Sequence, residues 1–202
     1  QEILEKAEGL REIGKYDEAI EFLKNSINSF PKDPNIPSVL SHCLILKDNL
    51  EEAIIYLEKA KTLNPKIASV GWNESRILLK RKKIDEALVT AKQTNKLFPD
   101  DVEGMNVLGS CLRASYSFDE SLQYLNKAIA LNPNYAEALI NRGLIYLMQK
   151  DKINALSDLE KAYHLKSHIK QIWYIILNLK MEAKEFEATI SIAEEMIKID
   201  PT

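Results

Sequence analysis

The sequence predicts an all-α protein, an α-solenoid built from antiparallel helix pairs. Three observations predict it. An acidic-then-small triplet returns every 34 residues, at Asp17-Glu18-Ala19, Glu51-Glu52-Ala53, Asp85-Glu86-Ala87 and Asp119-Glu120-Ser121. Proline keeps the same step, at Pro31, Pro65, Pro99, Pro133 and Pro201, with Ser167 breaking the series. Apolar residues between these marks fall at helical spacing, as Ile20, Leu23 and Ile27 do, and alternating runs that would mark strands are few. A fixed period of this length marks a repeat architecture, in which each unit buries a face only by stacking on its neighbour.

Each unit reads as two helices joined by a short turn. The acidic triplet opens the second helix. There its carboxylates cap free N–H groups and face the positive end of the helix dipole, worth roughly 0.3–1 kcal/mol each. Three series of small residues let the helix backbones approach closely: Ala7, Ser41, Ser75, Gly109 and Gly143; Ala19, Ala53, Ala87, Ser121 and Ala155; Ser26, Ala60, Thr94, Ala128 and Ala162. Proline then stops the second helix, because its ring cannot continue the hydrogen-bond ladder.

The chain has 202 residues, 46% hydrophobic and 28% charged, with a net charge of −3. That is enough apolar material for a sizeable core and gives no bulk attraction to nucleic acid or anionic membrane. No apolar run approaches the ~18 residues of a membrane span. The chain starts with Gln and has no basic-then-apolar leader, so it is read as a mature form or a piece of something longer.

The pattern resembles the tetratricopeptide repeat family, in "LNPNYAEALINRGLIYLMQKDKINALSDLEKAYHL" most closely. The match spans the whole chain as six units: 1–33, 34–67, 68–101, 102–135, 136–169 and 170–202. The resemblance implies a single domain, 1–202, wound as a right-handed superhelix whose first helices line a concave groove. Unit six departs from the pattern, with Leu177, Thr189 and Met196 at the three small positions, which puts its close packing in question.

Candidates for chemistry are few. His164 and His168 lie four apart, but Ser167 stands between them at a helix end and no further ligand completes a set, so no metal site is expected. Cys43 and Cys111 occupy equivalent places two units apart, about 20 Å on helix-packing distances, far beyond disulfide reach. They read as buried free thiols of a reducing, cytoplasmic setting. The run Lys80-Arg81-Lys82-Lys83 falls in a turn and reads as solvated decoration rather than a nucleic-acid patch. No cofactor and no catalytic residue is expected.

On the family's pattern the groove is lined by the second, fifth, sixth, ninth, twelfth and thirteenth positions of each first helix. Unit one then gives Glu5, Glu8, Arg11 and Glu12, acidic on balance. Units three and four give Trp72, Asn73, Arg76, Lys80, Asn106 and Arg113; units five and six give Ile140, Asn141, Leu144, Leu147, Met148, Tyr174 and Ile175. The set does not match the Lys/Asn/Asn/Lys/Arg clamp by which some members hold a carboxylate. Asn73 and Asn141 match an asparagine ladder that grips extended peptides in others; equally they read as solvated polar residues. Trp173 sits at the core aromatic position. Trp72 lies one residue past that position, beside Gly71, and either fills the gap there or stands in the groove; the groove is favoured.

The expected function is a non-catalytic scaffold binding a peptide or protein segment, one with acidic groups near its middle and apolar anchors toward one end. Two alternatives are carried: the substrate-recognition region of a larger enzyme resembling O-GlcNAc transferases or repeat-containing sulfotransferases, and a self-associating assembly protein. Met196 and Ile197, with Ile192 and Ile199, are expected on an exposed C-terminal face that either continues into further repeats or makes a homo-oligomer. Arg76→Glu with Arg113→Glu is expected to weaken partner binding while leaving melting unchanged. Both thiols are predicted to resist alkylation in the folded chain and to react on unfolding without reductant, as mass spectrometry after iodoacetamide treatment would read.

Overall fold

The computed structural model describes residues 1–166 and 169–199. Ser167, His168 and Pro201, and the side chain of Ile199, lie outside the described residues. Among the described residues there are helices and no strand. The first helices of the six repeats are α1 (Glu2–Glu12), α3 (Asn35–Leu46), α5 (Ala68–Lys80), α7 (Val102–Ala114), α9 (Ala136–Met148) and α11 (Trp173–Glu182). The second helices are α2 (Tyr16–Ser29), α4 (Leu50–Leu63), α6 (Ile84–Leu97), α8 (Phe118–Leu131), α10 (Lys152–Leu165) and α12 (Phe186–Ile199). A 3-10 turn, Lys170–Ile172, leads into α11.

The chain divides into two compact units, Gln1–Ser117 and Phe118–Thr202. In the first, Leu23, Ile36, Leu40, Leu44, Leu57, Val70 and Ile77 form a continuous core. In the second, Leu139, Leu159, Tyr163, Ile172, Trp173 and Ile176 do so. Each fully buried large aliphatic contributes roughly 1.5–3 kcal/mol. Trp173 packs as expected.

The small positions are the points of closest approach. Ala7, Ala19, Ala53, Ala60, Ala87, Ala128, Ala155 and Ala162 are completely buried. At one of them the Ser41 hydroxyl of α3 donates to the Ala53 carbonyl of α4 at 2.8 Å, so side chain meets backbone directly. Every second helix followed by proline stops two residues before it, and α10 stops at the same register, at Leu165, without one. Proline is therefore not required at that place for the second helix to stop.

The acidic triplet does something different from capping. Its carboxylates lie in the first turn, where they face the dipole, but the cap position is two residues earlier. Asn49 and Asp151 cap there by accepting from the backbone N–H groups of Glu52 and Asn154. In α2 and α6 the cap position holds Lys15 and Lys83, which pair with Glu18 and Glu86 at 2.7 and 3.0 Å.

The turn within each pair is the same left-handed joint six times. Gly14, Asp48, Lys82, Tyr116, Lys150 and Lys184, each 34 residues apart, have φ between 60° and 77°. The following N–H reaches back five residues each time, as Lys15 does to Leu10 (2.9 Å) and Lys83 to Leu78 (2.9 Å). This is the Schellman closure of a helix C-terminus. The basic run 80–83 is such a joint, with Lys82 at its centre, Lys80 paired to Asp48 (2.9 Å) and Lys83 to Glu86.

Unit six pairs its helices despite its larger residues. Thr189 is buried and its hydroxyl returns to the Glu185 carbonyl at 2.8 Å. Met196, expected on the exposed face, is only 4% exposed and belongs to the core of the second unit. Ile197 is 62% exposed, and Ile192 packs partly against the core.

Since only Gly14 among the six joint residues escapes the cost of a side chain at positive φ, Lys82→Gly is predicted to raise stability by about 0.5–1 kcal/mol, and Gly14→Ala to lower it by about 1 kcal/mol. Urea unfolding midpoints of the two variants would check this.

Candidate functional site

The first unit contains a cleft of about 200 Å³ lined by first helices alone: Leu4, Glu8 and Arg11 of α1; Asn35, Ser38, Val39 and His42 of α3; Ser69 and Asn73 of α5; Glu103 of α7. A polar chain crosses its floor through all four helices. Arg11 Nη1 lies 3.1 Å from His42 Nδ1, and that nitrogen lies 3.4 Å from Glu103 Oε1. Arg76 Nη2 donates to the same Glu103 oxygen at 2.6 Å, and Arg76 Nη1 donates to Asn73 Oδ1 at 3.1 Å. Asn73 Nδ2 donates to the Ser38 carbonyl at 2.8 Å, and the Ser38 hydroxyl bonds Ser69 Oγ at 2.8 Å.

Glu103 is the anionic centre of this chain. Burial works against its ionisation, but the charges of Arg76, His42 and Arg11, with the Arg76 hydrogen bond, outweigh burial and hold its carboxyl down at about 2. Burial pushes the thiols the other way, Cys43 up to about 11 and Cys111 up to about 12. Both are buried and unbridged, so they are protonated and poor nucleophiles at neutral pH.

Several sequence-predicted groove residues sit elsewhere than expected. Trp72 is only 1% exposed, so it does not stand in the groove. Its indole N–H donates to Asp101 Oδ2 at 3.0 Å. Its ring lies against Gly104, where a Cβ would come within 2.2 Å of the ring carbons; the space beside Gly71 is taken by Thr94 instead. A tryptophan one residue out of register is thus accommodated by glycine on the next first helix.

Asn73 is buried with its amide bonded on both sides, and is neither a solvated residue nor an open rung. Asn106 is buried, and Arg113 is half-buried, its guanidinium pKa lowered by desolvation. Lys80 is exposed and paired with Asp48. Ile140, Leu147 and Ile175 pack partly against the core of the second unit. Asn141 and Leu144 are half-buried there, and Met148 and Tyr174 are exposed.

The reading of the groove missed Ser38, His42 and Glu103. The positional rule itself points to them: they are the fifth and ninth places of unit two and the second of unit four. It also missed Arg142, which forks onto Asp158 at 2.7 and 2.8 Å and reaches Asn126 at 2.7 Å. Nothing in the spacing of those three residues marks them as partners.

Helix pairs closed by one repeated joint, locked at small residues and presenting a polar cleft from consecutive first helices, define a helical-repeat protein. Models of the tetratricopeptide repeat match residues 10–69 and 109–150, together half of the chain, and the chain belongs to the tetratricopeptide repeat family. It is 26% identical over 174 residues to the BBSome complex member BBS4 homolog of Drosophila melanogaster, covering 86% of this chain and 36% of that protein. It is 28% identical over 126 residues to the UDP-N-acetylglucosamine--peptide N-acetylglucosaminyltransferase of Giardia intestinalis, covering 57% of this chain and 8% of that one. The chain thus spans well under half the length of these curated relatives. A thermophilic TPR protein of Thermus thermophilus shares the fold at a TM-score of 0.70 and 21% identity, over 84% of this chain and 93% of that one. No helix among the described residues is long and apolar enough to cross a membrane.

The expectation that Arg76→Glu leaves melting unchanged is corrected by these contacts. The Arg76 side chain is 15% exposed and is anchored to Glu103, so the substitution sets two carboxylates face to face. Arg76→Met is predicted to cost about 2–3 kcal/mol by removing a charged hydrogen bond and leaving its partner unpaired, and Arg76→Glu to cost more. The Glu103 carboxyl, lowered from 4.5 to about 2, contributes stability that is present above pH 4.5 and lost as pH falls toward 2. Glu103→Gln should therefore flatten the stability difference between pH 5 and pH 2.5 relative to wild type, as parallel urea titrations would read.

Proposed function

We propose that the protein is a non-catalytic scaffold that binds a segment of another protein in the cleft of its first unit. The family supports protein binding in general. The observation that carries the finer reading is the convergence of four consecutive first helices on one cleft whose polar floor is already bonded internally. A floor fixed in this way is pre-organised, so binding does not also have to order those side chains. Leu4 and Val39 offer apolar contact, and the exposed Glu8 and Asn35 at the rim offer hydrogen-bond partners to a peptide backbone or side chain.

A second reading has its own support: likeness to a short stretch of a glycosyltransferase fits a substrate-presenting region of a longer enzyme. In that reading the same cleft would hold the protein to be modified, and the chemistry would lie outside these residues.

Glu8→Trp with Asn35→Arg fills the cleft from two exposed positions and leaves the core intact. Proteins captured by the wild type are predicted to be lost with the filled variant at unchanged melting temperature, and a captured partner's affinity to fall at least tenfold. Equal capture by both forms would sink the reading.

A further inference from the structure

The second unit carries a surface that the repeat pattern makes conspicuous. The first acid of the recurring triplet is Asp17, Glu51, Asp85 and Asp119, and in the fifth repeat that place holds Ile153. In the first repeat, Asp17 pairs with Lys47, thirty residues on, at 2.9 Å. In the fifth, the residue thirty places on is Ala183. The places that hold the Asp17–Lys47 pair in the first repeat are thus taken in the fifth by two apolar residues, and Ile153 is 83% exposed.

The replacement opens onto a cleft. Ile153 and Leu156 of α10 and Leu179 and Ala183 at the end of α11 line a space of about 470 Å³. Around it stand the carboxylates of Glu160, Glu182 and Glu185. Lys152 pairs with Glu182 at 2.5 Å, and the buried Lys180 is shared between Glu160 (2.5 Å) and Glu185 (2.8 Å). Three carboxylates thus face two ammonium groups. The rim keeps a net negative charge, and each carboxylate can accept more than the single bond it makes here.

We propose that this corner docks a partner protein segment carrying a large aliphatic side chain beside a lysine or arginine. The aliphatic group covers Ile153, Leu156 and Leu179, and the basic group completes the charge of the rim. Charge complementarity selects this occupant over an acidic or purely polar segment. The proposal stands on the second unit alone and does not depend on the cleft of the first.

The repeat pattern supplies a variant that keeps the fold. Ile153→Asp with Ala183→Lys restores the pair seen at Asp17 and Lys47. The full chain, labelled at isoleucine methyl groups, is titrated with three Gly/Ser peptides bearing Lys-Leu-Leu-Lys, Glu-Leu-Leu-Glu or Lys-Ser-Ser-Lys. The expected result is a saturable shift of the Ile153 methyl with the first peptide and at least tenfold weaker binding of the other two. The paired variant should keep its melting temperature and bind the first peptide at least tenfold more weakly, read by fluorescence anisotropy. No response to the first peptide at millimolar concentration, equal binding of all three, or undiminished binding by the variant overturns the proposal. So does an Ile153 methyl that shifts with protein concentration alone, with a sedimenting dimer lost in the variant, since a second copy would then be the occupant.

Discussion

The structure depends on how closely the backbones of paired helices approach at the small residues. Where Ser41 meets the Ala53 carbonyl, a side chain of one helix bonds the backbone of its partner directly. The buried leucines and isoleucines gain their contacts only because that distance is held. An apolar core of this kind is close-packed, so a fixed spacing at a few points propagates to every neighbouring side chain. Unit six meets the constraint differently: a buried methionine enters the core, and a buried threonine bonds its own helix.

The same spacing makes the polar floor of the first unit feasible. First helices brought this near place side chains from α1, α3, α5 and α7 within hydrogen-bonding reach of each other. A carboxylate held by a guanidinium at 2.6 Å, with an imidazole and a second guanidinium beside it, is a costly thing to bury. It is tolerable because the carboxylate is held by opposite charges and its side chain stays 38% exposed to the cleft. Trp72 belongs to the same logic: displaced by one residue, it finds its seat between α5 and α7, held by Asp101 and admitted by Gly104.

The helix count, register and stop positions were legible because they follow from periodicity, and periodicity survives substitution at any one site. The small positions were legible for the same reason. The joints were not, since five of the six left-handed residues are not glycine and only their hydrogen bonds reveal them. The candidate site was legible in position and not in state. The rule for first-helix faces reaches Glu103, His42 and Ser38, yet no pattern tells that Asn73 and Arg76 spend their donors on neighbours rather than on solvent. Exposure of a long side chain is decided by what stands opposite it one repeat away, and spacing within a single helix carries no such information.

The locality of the packing has a consequence for how the protein is made. Within each unit, the substantial contacts join helices one or two places apart in the chain. Contacts of such short sequence separation close quickly, because little loop entropy is lost in forming them. A ribosome delivering the chain therefore releases α1, α2 and α3 as material that can already dock, before α5 or α7 has been translated. The floor of the cleft closes only when Glu103 emerges, so the N-terminal helices spend part of synthesis with Arg11, His42 and Arg76 still open to solvent or to a chaperone.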